Sequence, residues 1–533
     1  MVHYRQEDTA IFATATLMTL FRDTVGAWRV EYTRRSSDTT IPYALSRMNL
    51  SDASPDTVAQ TMRAMLQRQR DALLSEGPPT AEVRRDRLDR CIGLLIDHQD
   101  ELAAAMDKDF GCRPVPLSKF TDISGSIAPL KHARDNVRFW MKPERRRPTP
   151  AILGWLGARA TVVHQPLGVV GVIAPWNFPV HLAVAPLACI LAAGNSCMIK
   201  PSEYTPTTSA LLASLFSKAF DPTEIVVCLG GPEIGEALSR LPLDHLLFTG
   251  ATSAAHHIMR AAAENLVPLT LELGGKSPVI VGRSANINLT ASRVMGGKTM
   301  SAGQICIAPD YVLVPTDLRD EFVASATEAV VHMFPTLIHN PDYTSIIHQR
   351  HYDRLQSIVQ DAESKGARVI EVNPANESTH LQAHHKILPT FILDPTQDMR
   401  AMQEEIFGPI LPVKTYTNID EAIEYVNSRP RPLALYYFGA NRAEEARVLA
   451  RTTSGGVTVN DVVVHVAMTD LPFGGVGLSG MGRYHSVDGF RQFSHCKAVF
   501  SQPTSGLVEK VLVSMRPPYG AKIRKLLASQ IKR

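Results

Sequence analysis

Between residues 169 and 273 the chain alternates short apolar runs with helical segments, and this alternation is what most limits its fold. Residues 169–174, for example, carry no polar side chain, which is typical of a strand buried on both faces. Buried strands that alternate with helices predict a mainly parallel, doubly wound sheet. The other predicted strands are 196–200, 225–229, 245–249 and 269–273, and the predicted helices are 182–193, 207–220, 232–241 and 254–266. A second α/β region follows from Gly274 to about residue 455.

Composition narrows the class of protein. The chain has 533 residues, of which 45% are hydrophobic and 20% charged, so we expect a globular protein of two or three domains. The net charge of +3 does not favour nucleic-acid binding. No apolar run reaches the roughly 20 residues of a membrane-spanning helix. The seven cysteines form no zinc-binding pattern, so we expect no metal, reduced thiols and a cytoplasmic location.

The two ends of the chain differ from its body. Residues 1–57 include polar, aperiodic stretches and predict a poorly ordered extension rather than a functional arm. The tail 504–533 carries seven Lys/Arg and one Glu. A short basic helix there favours a solvated surface element over one that binds membranes or nucleic acids.

The segment Gly303-Gln304-Ile305-Cys306, preceded by Ser301 and Ala302, contains a candidate nucleophile. A lone cysteine is most often a small core residue. The small residues near Cys306, however, leave room for a substrate and for close approach of the backbone.

Glu272 lies near the end of the predicted strand 269–273 and precedes Gly274 and Gly275. Ligands of open α/β sheets bind beyond the carboxyl ends of strands. Burial of Glu272 would raise its pKa toward that of a general base. The alternative, a helix-capping glutamate, leaves the paired glycines unexplained.

Asn177 lies in Pro175-Trp176-Asn177-Phe178-Pro179, directly after the predicted strand 169–174. Two prolines stiffen this loop, so its amide could face a developing oxyanion. A plain turn with a buried tryptophan is the alternative.

Two further strand ends carry candidate cofactor groups. Lys200 and Glu203 can hydrogen-bond ribose hydroxyls, although a solvated ion pair is the default for such residues. Thr249-Gly250-Ala251 precedes a predicted helix, whose N-terminus is suited to phosphate. Here an ordinary helix start is the alternative.

Together and in this order, these motifs, with Gln403–Pro409 and Leu471–Gly480, resemble the aldehyde dehydrogenase superfamily over about residues 60–500. The resemblance implies that Cys306 is the nucleophile and that Glu272, 34 residues earlier, is the general base. It implies that Asn177 and the backbone N–H of Cys306 stabilise the oxyanion. It also implies a dinucleotide site. Lys200 and Glu203 would hold the adenosine ribose, and Gly250 and Ala251 would lie at the pyrophosphate. The nicotinamide would lie at Glu405 and Phe407, and the remaining residues of the site would be Trp176, Thr249 and Leu273.

The finer resemblance is to the class 3 branch and, within it, to bacterial coniferyl aldehyde dehydrogenases. Three stretches carry it, at residues 306–311, 480–485 and 517–520. It implies an aromatic or medium-chain aldehyde substrate, with coniferaldehyde as the specific expectation. Glu203 favours NAD, because a carboxylate repels the 2′-phosphate of NADP. The preference between NAD and NADP nevertheless stays open, because Ala255 stands where many relatives have glycine.

The resemblance also implies the domain organisation. We expect an α/β protein with a doubly wound dinucleotide-binding domain (58–147 and 167–272) and an α/β catalytic domain (273–470). Residues 148–166 and 485–503 would form an oligomerisation arm of a homodimer. Two alternatives remain: a CoA-acylating enzyme, which needs no water-activating carboxylate, and a non-catalytic binding protein on the same fold.

Overall fold

The structure is a computed structural model that describes residues 17–22, 28–33, 47–49, 54–149, 151–378, 385–504, 506–513 and 515–531. The chain divides into a small unit, residues 1–45, and a large unit, residues 46–533. In the small unit, strand β1 (Leu17–Arg22) pairs antiparallel with β2 (Trp28–Thr33). Much of the predicted N-terminal extension and the last two residues of the basic tail lie outside the described residues.

The large unit contains the remaining strands and all the described helices. Its strands are β3 (Arg47–Asn49), β4 (Glu144–Arg146), β5 (Arg159–Pro166), β6 (Val169–Ile173), β7 (Ser196–Lys200), β8 (Ile225–Leu229), β9 (His245–Gly250), β10 (Leu269–Leu273), β11 (Pro278–Val281), β12 (Tyr311–Pro315), β13 (Arg368–Glu371), β14 (Thr390–Leu393), β15 (Ile410–Tyr416), β16 (Ala434–Phe438), β17 (Gly456–Val459), β18 (Gly480–Met481) and β19 (Ser494–Ser501). Its α-helices are α1 (Pro55–Glu76), α2 (Ala81–Asp97), α3 (Gln99–Phe110), α4 (Val115–Ser118), α5 (Gly125–Trp140), α6 (Ala151–Trp155), α7 (His181–Val184), α8 (Leu187–Ala193), α9 (Pro206–Ala219), α10 (Pro232–Ser239), α11 (Thr252–Ala263), α12 (Ile287–Thr299), α13 (Arg319–Met333), α14 (Gln349–Ser364), α15 (Arg400–Gln403), α16 (Ile419–Asn427), α17 (Arg442–Arg451), α18 (Ser486–Gln492), α19 (Gly506–Val513) and α20 (Ala521–Gln530).

The first sheet has seven strands in the order β18-β10-β9-β6-β7-β8-β3. All neighbours are parallel except β18, which runs antiparallel to β10. Every residue of β6 and of β7 is buried, as expected for strands covered on both faces. The predicted parallel, doubly wound sheet is therefore confirmed.

The structure corrects the end of the predicted N-terminal extension, which we placed at residue 57. Strand β3 already belongs to the first sheet, and α1 begins at Pro55. Ser54 caps that helix, because its Oγ accepts a hydrogen bond from the backbone N–H of Thr57 at 3.3 Å. Proline in the first turn also favours a start at this point.

The structure also divides the predicted helix 182–193 into α7 and α8. Pro186 lies between the two helices. Proline lacks a backbone N–H, and its ring clashes with the preceding turn, so a helix cannot pass through it unchanged.

The second sheet also has seven strands, in the order β13-β14-β15-β12-β11-β16-β17, and only β13 is antiparallel to its neighbour. A third, antiparallel sheet has the order β19-β5-β4. The predicted oligomerisation arm begins at residue 148, whereas this sheet also includes β4 at residues 144–146. One continuous apolar core reaches from the first sheet into the second. In the part of the chain that the structure describes, no helix is both long and apolar enough to span a bilayer.

Candidate active site

Polar side chains collect where the central strands of the first sheet end. Strands β10, β9, β6 and β7 are parallel neighbours, so their carboxyl ends lie along one edge. Asn177 follows β6, Lys200 is the last residue of β7, and Glu272 is the last but one of β10. Ligands of open α/β sheets bind at this edge.

Cys306 lies on the loop before β12, and a buried glutamine fixes the shape of that loop. Nε2 of Gln304 donates to the carbonyl oxygens of Ser301 and Ser345, both at 3.0 Å. Its Oε1 accepts from the backbone N–H of Ile347 at 3.1 Å. Gln304 thereby ties the cysteine loop to the chain at residues 345–347.

The backbone that leads to Cys306 is strained. Ser301 and Ala302 have φ angles of 48° and 52°, in the left-handed region that costs energy for residues with a side chain. Gly303 follows with φ of 74°, and a Cβ added there would lie 2.3 Å from the carbonyl oxygen of Gly408. Only glycine fits at this position.

The amide of Asn177 faces the cysteine loop. Its Nδ2 donates to the carbonyl oxygen of Gln304 at 3.1 Å, in a fully buried contact. A side-chain amide carries two N–H groups, so this bond leaves the second one for another acceptor. The backbone carbonyl of Asn177 itself accepts from Nη1 of Arg113 at 2.8 Å.

Glu272 is buried, with 3% of its surface exposed. Neither of its carboxyl oxygens has a hydrogen-bond partner within the described residues. Burial raises the pKa of Glu272 well above its ordinary value. A buried carboxyl group without a partner is costly to the fold, which is typical of a group retained for chemistry.

Residue Cys306 is partly exposed, and the pKa of its thiol is raised to about 12. Burial is the largest cause, and the negative charges of Glu405 and Glu272 add to it. The backbone N–H groups of Cys306 and Ile307 act in the opposite direction. The thiol is therefore within electrostatic range of both carboxyl groups, and it needs a base to become a nucleophilic thiolate at neutral pH.

The Glu405 carboxyl group packs on the glycine pair that follows Glu272. A Cβ added at Gly274 would lie 2.0 Å from Oε2 of Glu405. The pKa of Glu405 is raised to about 8, first by burial and then by Asp310, while the Gly275 N–H and Lys276 lower it. The paired glycines thus allow two motifs from distant parts of the chain to meet.

Aromatic rings border the site. The ring of Trp176 lies 5.4 Å from that of Phe407, nearly at a right angle, and 5.2 Å from the imidazole of His351. Phe407 has a φ of 51° and so is also strained. Leu273, which follows Glu272, is buried, and its backbone N–H donates to the carbonyl oxygen of Ser479 at 3.1 Å.

The remaining predicted cofactor residues lie at the same edge. Nζ of Lys200 pairs with the carboxylate of Glu203. Oγ1 of Thr249 is buried without a partner among the described residues. After Gly250, the exposed Ala251 is the N-cap residue of helix α11, and no side chain caps this helix. An unpartnered hydroxyl, an uncapped helix N-terminus and an ion pair together fit the ribose and phosphate groups of a dinucleotide.

Sequence reasoning did not assign roles to several residues at the site. Gln304 lies in the segment that ends at Cys306, but its anchoring role depends on hydrogen-bond partners that are 41 and 43 residues away. Tyr484 is buried, and its pKa is raised by burial and by the charges of Glu272 and Cys306. Arg113 and Asp122 form a fully buried ion pair at 2.8 Å. No local pattern around Arg113 or Asp122 signalled this pair.

A profile of the aldehyde dehydrogenase family matches residues 43–499 of the chain. The chain belongs to the aldehyde dehydrogenase family. It is 60% identical to a probable coniferyl aldehyde dehydrogenase of Caulobacter vibrioides, over 90% of this chain and 99% of the relative. It is 53% identical to a coniferyl aldehyde dehydrogenase of a Pseudomonas species, over 88% of this chain and 96% of that protein.

Solved structures of the family have the same fold. The substrate-bound Staphylococcus aureus AldH superimposes with a TM-score of 0.80 at 34% identity, and the match covers 88% of this aldehyde dehydrogenase and 99% of that chain. A mutant of the P. syringae indole-3-acetaldehyde dehydrogenase, in complex with NAD+ and IAA, gives a TM-score of 0.74 at 27% identity. That match covers 84% of this chain and 89% of the other. The predicted family and fold are therefore confirmed, and the protein is an aldehyde dehydrogenase.

Proposed function

We propose that this aldehyde dehydrogenase oxidises coniferaldehyde or a similar aromatic aldehyde to the carboxylic acid. In this proposal Cys306 is the nucleophile, Glu272 the general base and Asn177 the oxyanion donor. The similarity to two coniferyl aldehyde dehydrogenases supports the substrate. The observation that carries the chemistry is the buried, unpartnered carboxyl group of Glu272 within electrostatic range of Cys306.

In the first step the Cys306 thiol loses its proton to solvent, and the resulting thiolate attacks the aldehyde carbon to give a thiohemiacetal oxyanion. The free N–H of Asn177 and the backbone N–H of Cys306 are the donors for that oxygen. A preorganised donor of this kind stabilises a transition state by about 3 to 4 kcal/mol. The hydrogen bond to Gln304 keeps the Asn177 amide beside the cysteine loop.

We assign the dinucleotide to the edge formed by Lys200, Glu203, Thr249 and the start of α11, with Trp176 and Phe407 near the nicotinamide. When bound, NAD supplies the acceptor for the hydrogen and two electrons that leave the substrate carbon. The Glu203 carboxylate favours NAD over NADP, because it repels a 2′-phosphate.

Oxidation leaves a thioester on Cys306, and Glu272 then removes a proton from the water that attacks it. Because neither oxygen of Glu272 bonds to the described part of the chain, both are available to water. Its raised pKa makes it a stronger base than an ordinary glutamate once it is ionised. The acid is released, and the thiol is regenerated.

Purified wild-type protein with coniferaldehyde and NAD should produce NADH and coniferic acid in equal amounts. Cys306→Ala should lose this activity, whereas Cys496→Ala, which removes an exposed thiol on β19, should keep it. Activity of Cys306→Ala near the wild-type level would contradict the proposal. Formation of an acyl-CoA when CoA is added would contradict hydrolysis by Glu272-activated water.

We also propose that the first sheet with its helices is the dinucleotide-binding domain and the second the catalytic domain. The three-stranded sheet would serve as the oligomerisation arm of a homodimer. Support comes from exposed aromatic side chains near this sheet, Trp155 at 87% and Phe500 at 54% exposed. Sedimentation equilibrium should give a mass of twice 58.4 kDa, and Phe500→Glu should shift the mass toward that of a monomer.

A further inference from the structure

Arg113 is among the largest fully buried side chains of the protein and has no place in the chemistry above. Its Nη2 donates to Oδ2 of Asp122 at 2.8 Å, and its Nε donates to Oγ of Ser118 at 3.2 Å. The guanidinium carbon lies 4.7 Å from the ring centre of Phe110 and 5.1 Å from that of Phe178. Hydrogen bonds thus hold the edge of the guanidinium group, and aromatic rings pack against its faces.

The remaining nitrogen of Arg113 points at the active-site loops. Nη1 donates to the carbonyl oxygen of Asn177 at 2.8 Å and lies 3.5 Å from Oγ of Ser301. Asn177 carries the proposed oxyanion donor, and Ser301 begins the strained backbone that leads to Cys306. One guanidinium therefore contacts both loops.

Asp122 fixes the other side of the Asn177 loop. Its Oδ1 accepts from the backbone N–H groups of Val180 and His181, at 3.1 and 3.2 Å. The Arg113–Asp122 pair thus contacts the backbone both at Asn177 and three to four residues after it. Together these bonds hold the loop at Asn177 and at the start of α7.

Stability alone does not require a charge pair at this position. Replacing a buried ion pair by apolar side chains of similar volume is often neutral or stabilising, whereas removing one partner is costly. What a guanidinium adds is direction, because its planar fork presents several N–H groups at fixed angles. Here those groups reach a carboxylate and a catalytic-loop carbonyl at the same time.

We propose that Arg113 and Asp122 are positioning residues that aim the Asn177 amide at the oxygen of the aldehyde during attack by Cys306. The inference rests on the proposed oxyanion role of Asn177. It assigns to the pair an effect on the rate of the chemical step and none on cofactor binding. A displacement of about 1 Å at a reacting group can cost about 100-fold in rate.

The test replaces the pair as a unit, with Arg113→Met/Asp122→Leu, so that no buried charge loses its partner. We expect this variant to fold, its kcat to fall about 100-fold, and its KM for NAD to stay within about threefold of the wild-type value. The matched control is Arg87→Met, which removes a buried arginine that bonds Glu224 at 3.0 Å. Glu224 precedes β8 at the opposite edge of the sheet, so this control should lose stability and keep kcat.

Arg113→Lys is the second variant, because it keeps the charge beside Asp122 and so does not depend on the double replacement folding. An ammonium group lacks the fork, so we expect a fall in kcat of at least about tenfold. In an Asn177→Ala background, neither Arg113 variant should lower kcat by more than about twofold further, since residues that act through one group are not additive.

Three outcomes decide the matter. A folded double variant or Arg113→Lys with kcat within twofold of wild type would overturn the positioning role. Equal further losses in the Asn177→Ala background would also overturn it, because the pair would then act independently of Asn177. Full activity of Asn177→Ala by itself would instead overturn the proposed oxyanion role and, with it, this inference.

Discussion

Two carboxyl groups near the active site are equally buried but differ in their hydrogen-bond partners. Glu272, on β10, and Asp310, just before β12, are each 3% exposed. Asp310 accepts from Nζ of Lys276 at 2.6 Å and from the backbone N–H of Ile406 at 2.9 Å, whereas Glu272 has no partner in the described chain. The partnered carboxylate ties segments together, whereas both oxygens of the unpartnered one are without a hydrogen bond to the described chain. Burial alone therefore does not identify a functional acid.

The largest expected effect is that of Glu272→Gln on turnover. The amide keeps the shape of the side chain but cannot remove a proton from water, so we expect kcat to fall by roughly 10² to 10⁴. The free energy of unfolding at pH 5 should change by less than about 1 kcal/mol, because no hydrogen bond is lost. Steady-state kinetics and urea unfolding measure the two quantities. A loss of several kcal/mol with unchanged kcat would make Glu272 a structural residue like Asp310.

Asp310→Asn should have the opposite effects, with a large loss of stability and little effect on the formation of the acyl intermediate. Lys276 would keep only carbonyl acceptors, and a buried charge that loses its partner costs about 3 to 5 kcal/mol. Urea unfolding should show that loss, while the folded fraction should still form the acyl intermediate. A loss of stability below about 1 kcal/mol would show that the Lys276–Asp310 contact does not support the fold.

The pH dependence of turnover should follow the ionisation of Glu272. Its pKa is raised by burial, and a base acts only when ionised, so kcat should rise with pH, by up to about tenfold per unit below that pKa. Glu272→Gln should flatten this rise. A wild-type profile that is flat at every pH at which the protein stays folded would contradict the assignment.

The same raised pKa has a consequence for stability. The folded chain keeps a proton on Glu272 that the unfolded chain releases near 4.5. Stability therefore falls as the pH rises from that value to the folded-state pKa. In Glu272→Gln the free energy of unfolding should decline less over the same range. Urea unfolding at a series of pH values measures the difference between the two proteins.

The smallest effect concerns a third acid, Glu203, which is partly exposed and paired with Lys200. Glu203→Gln removes the charge that would repel a 2′-phosphate, so kcat/KM for NADP should rise roughly tenfold relative to NAD. Stability should change little, because ion pairs with an exposed partner contribute little. An unchanged NADP/NAD ratio would show that Glu203 does not contact the ribose.

Much of the first sheet could be predicted because its strands are short, uninterrupted apolar runs between clear helix signals. The predicted strand 225–229 coincides with β8, for instance. Strands β3 and β4 have three residues each, too few to show a period, and each is recognisable only from its pairing with a later strand, β8 and β5 respectively. Strand β18 joins β10 from about 200 residues further along the chain, a contact that no local pattern contains.

At the site, the sequence marks Asn177, Glu272 and Cys306 as candidates because each lies in a recognisable local pattern, and their catalytic roles stay predictions. The partners that hold them could not be predicted. Gln304, Arg113 and Asp122 act through hydrogen bonds to backbone groups elsewhere in the chain, which any residue type can supply. The lack of a partner for Glu272 is likewise a property of the packed structure and not of its sequence neighbourhood.

The most direct test of the account is rapid-mixing kinetics of Glu272→Gln with NAD and coniferaldehyde, followed by mass spectrometry of the quenched protein. We expect a burst of about one NADH per active site, then a stall, with an acyl group on the peptide that contains Cys306. Continued turnover at the wild-type rate, or a burst with no acyl group on Cys306, would contradict it.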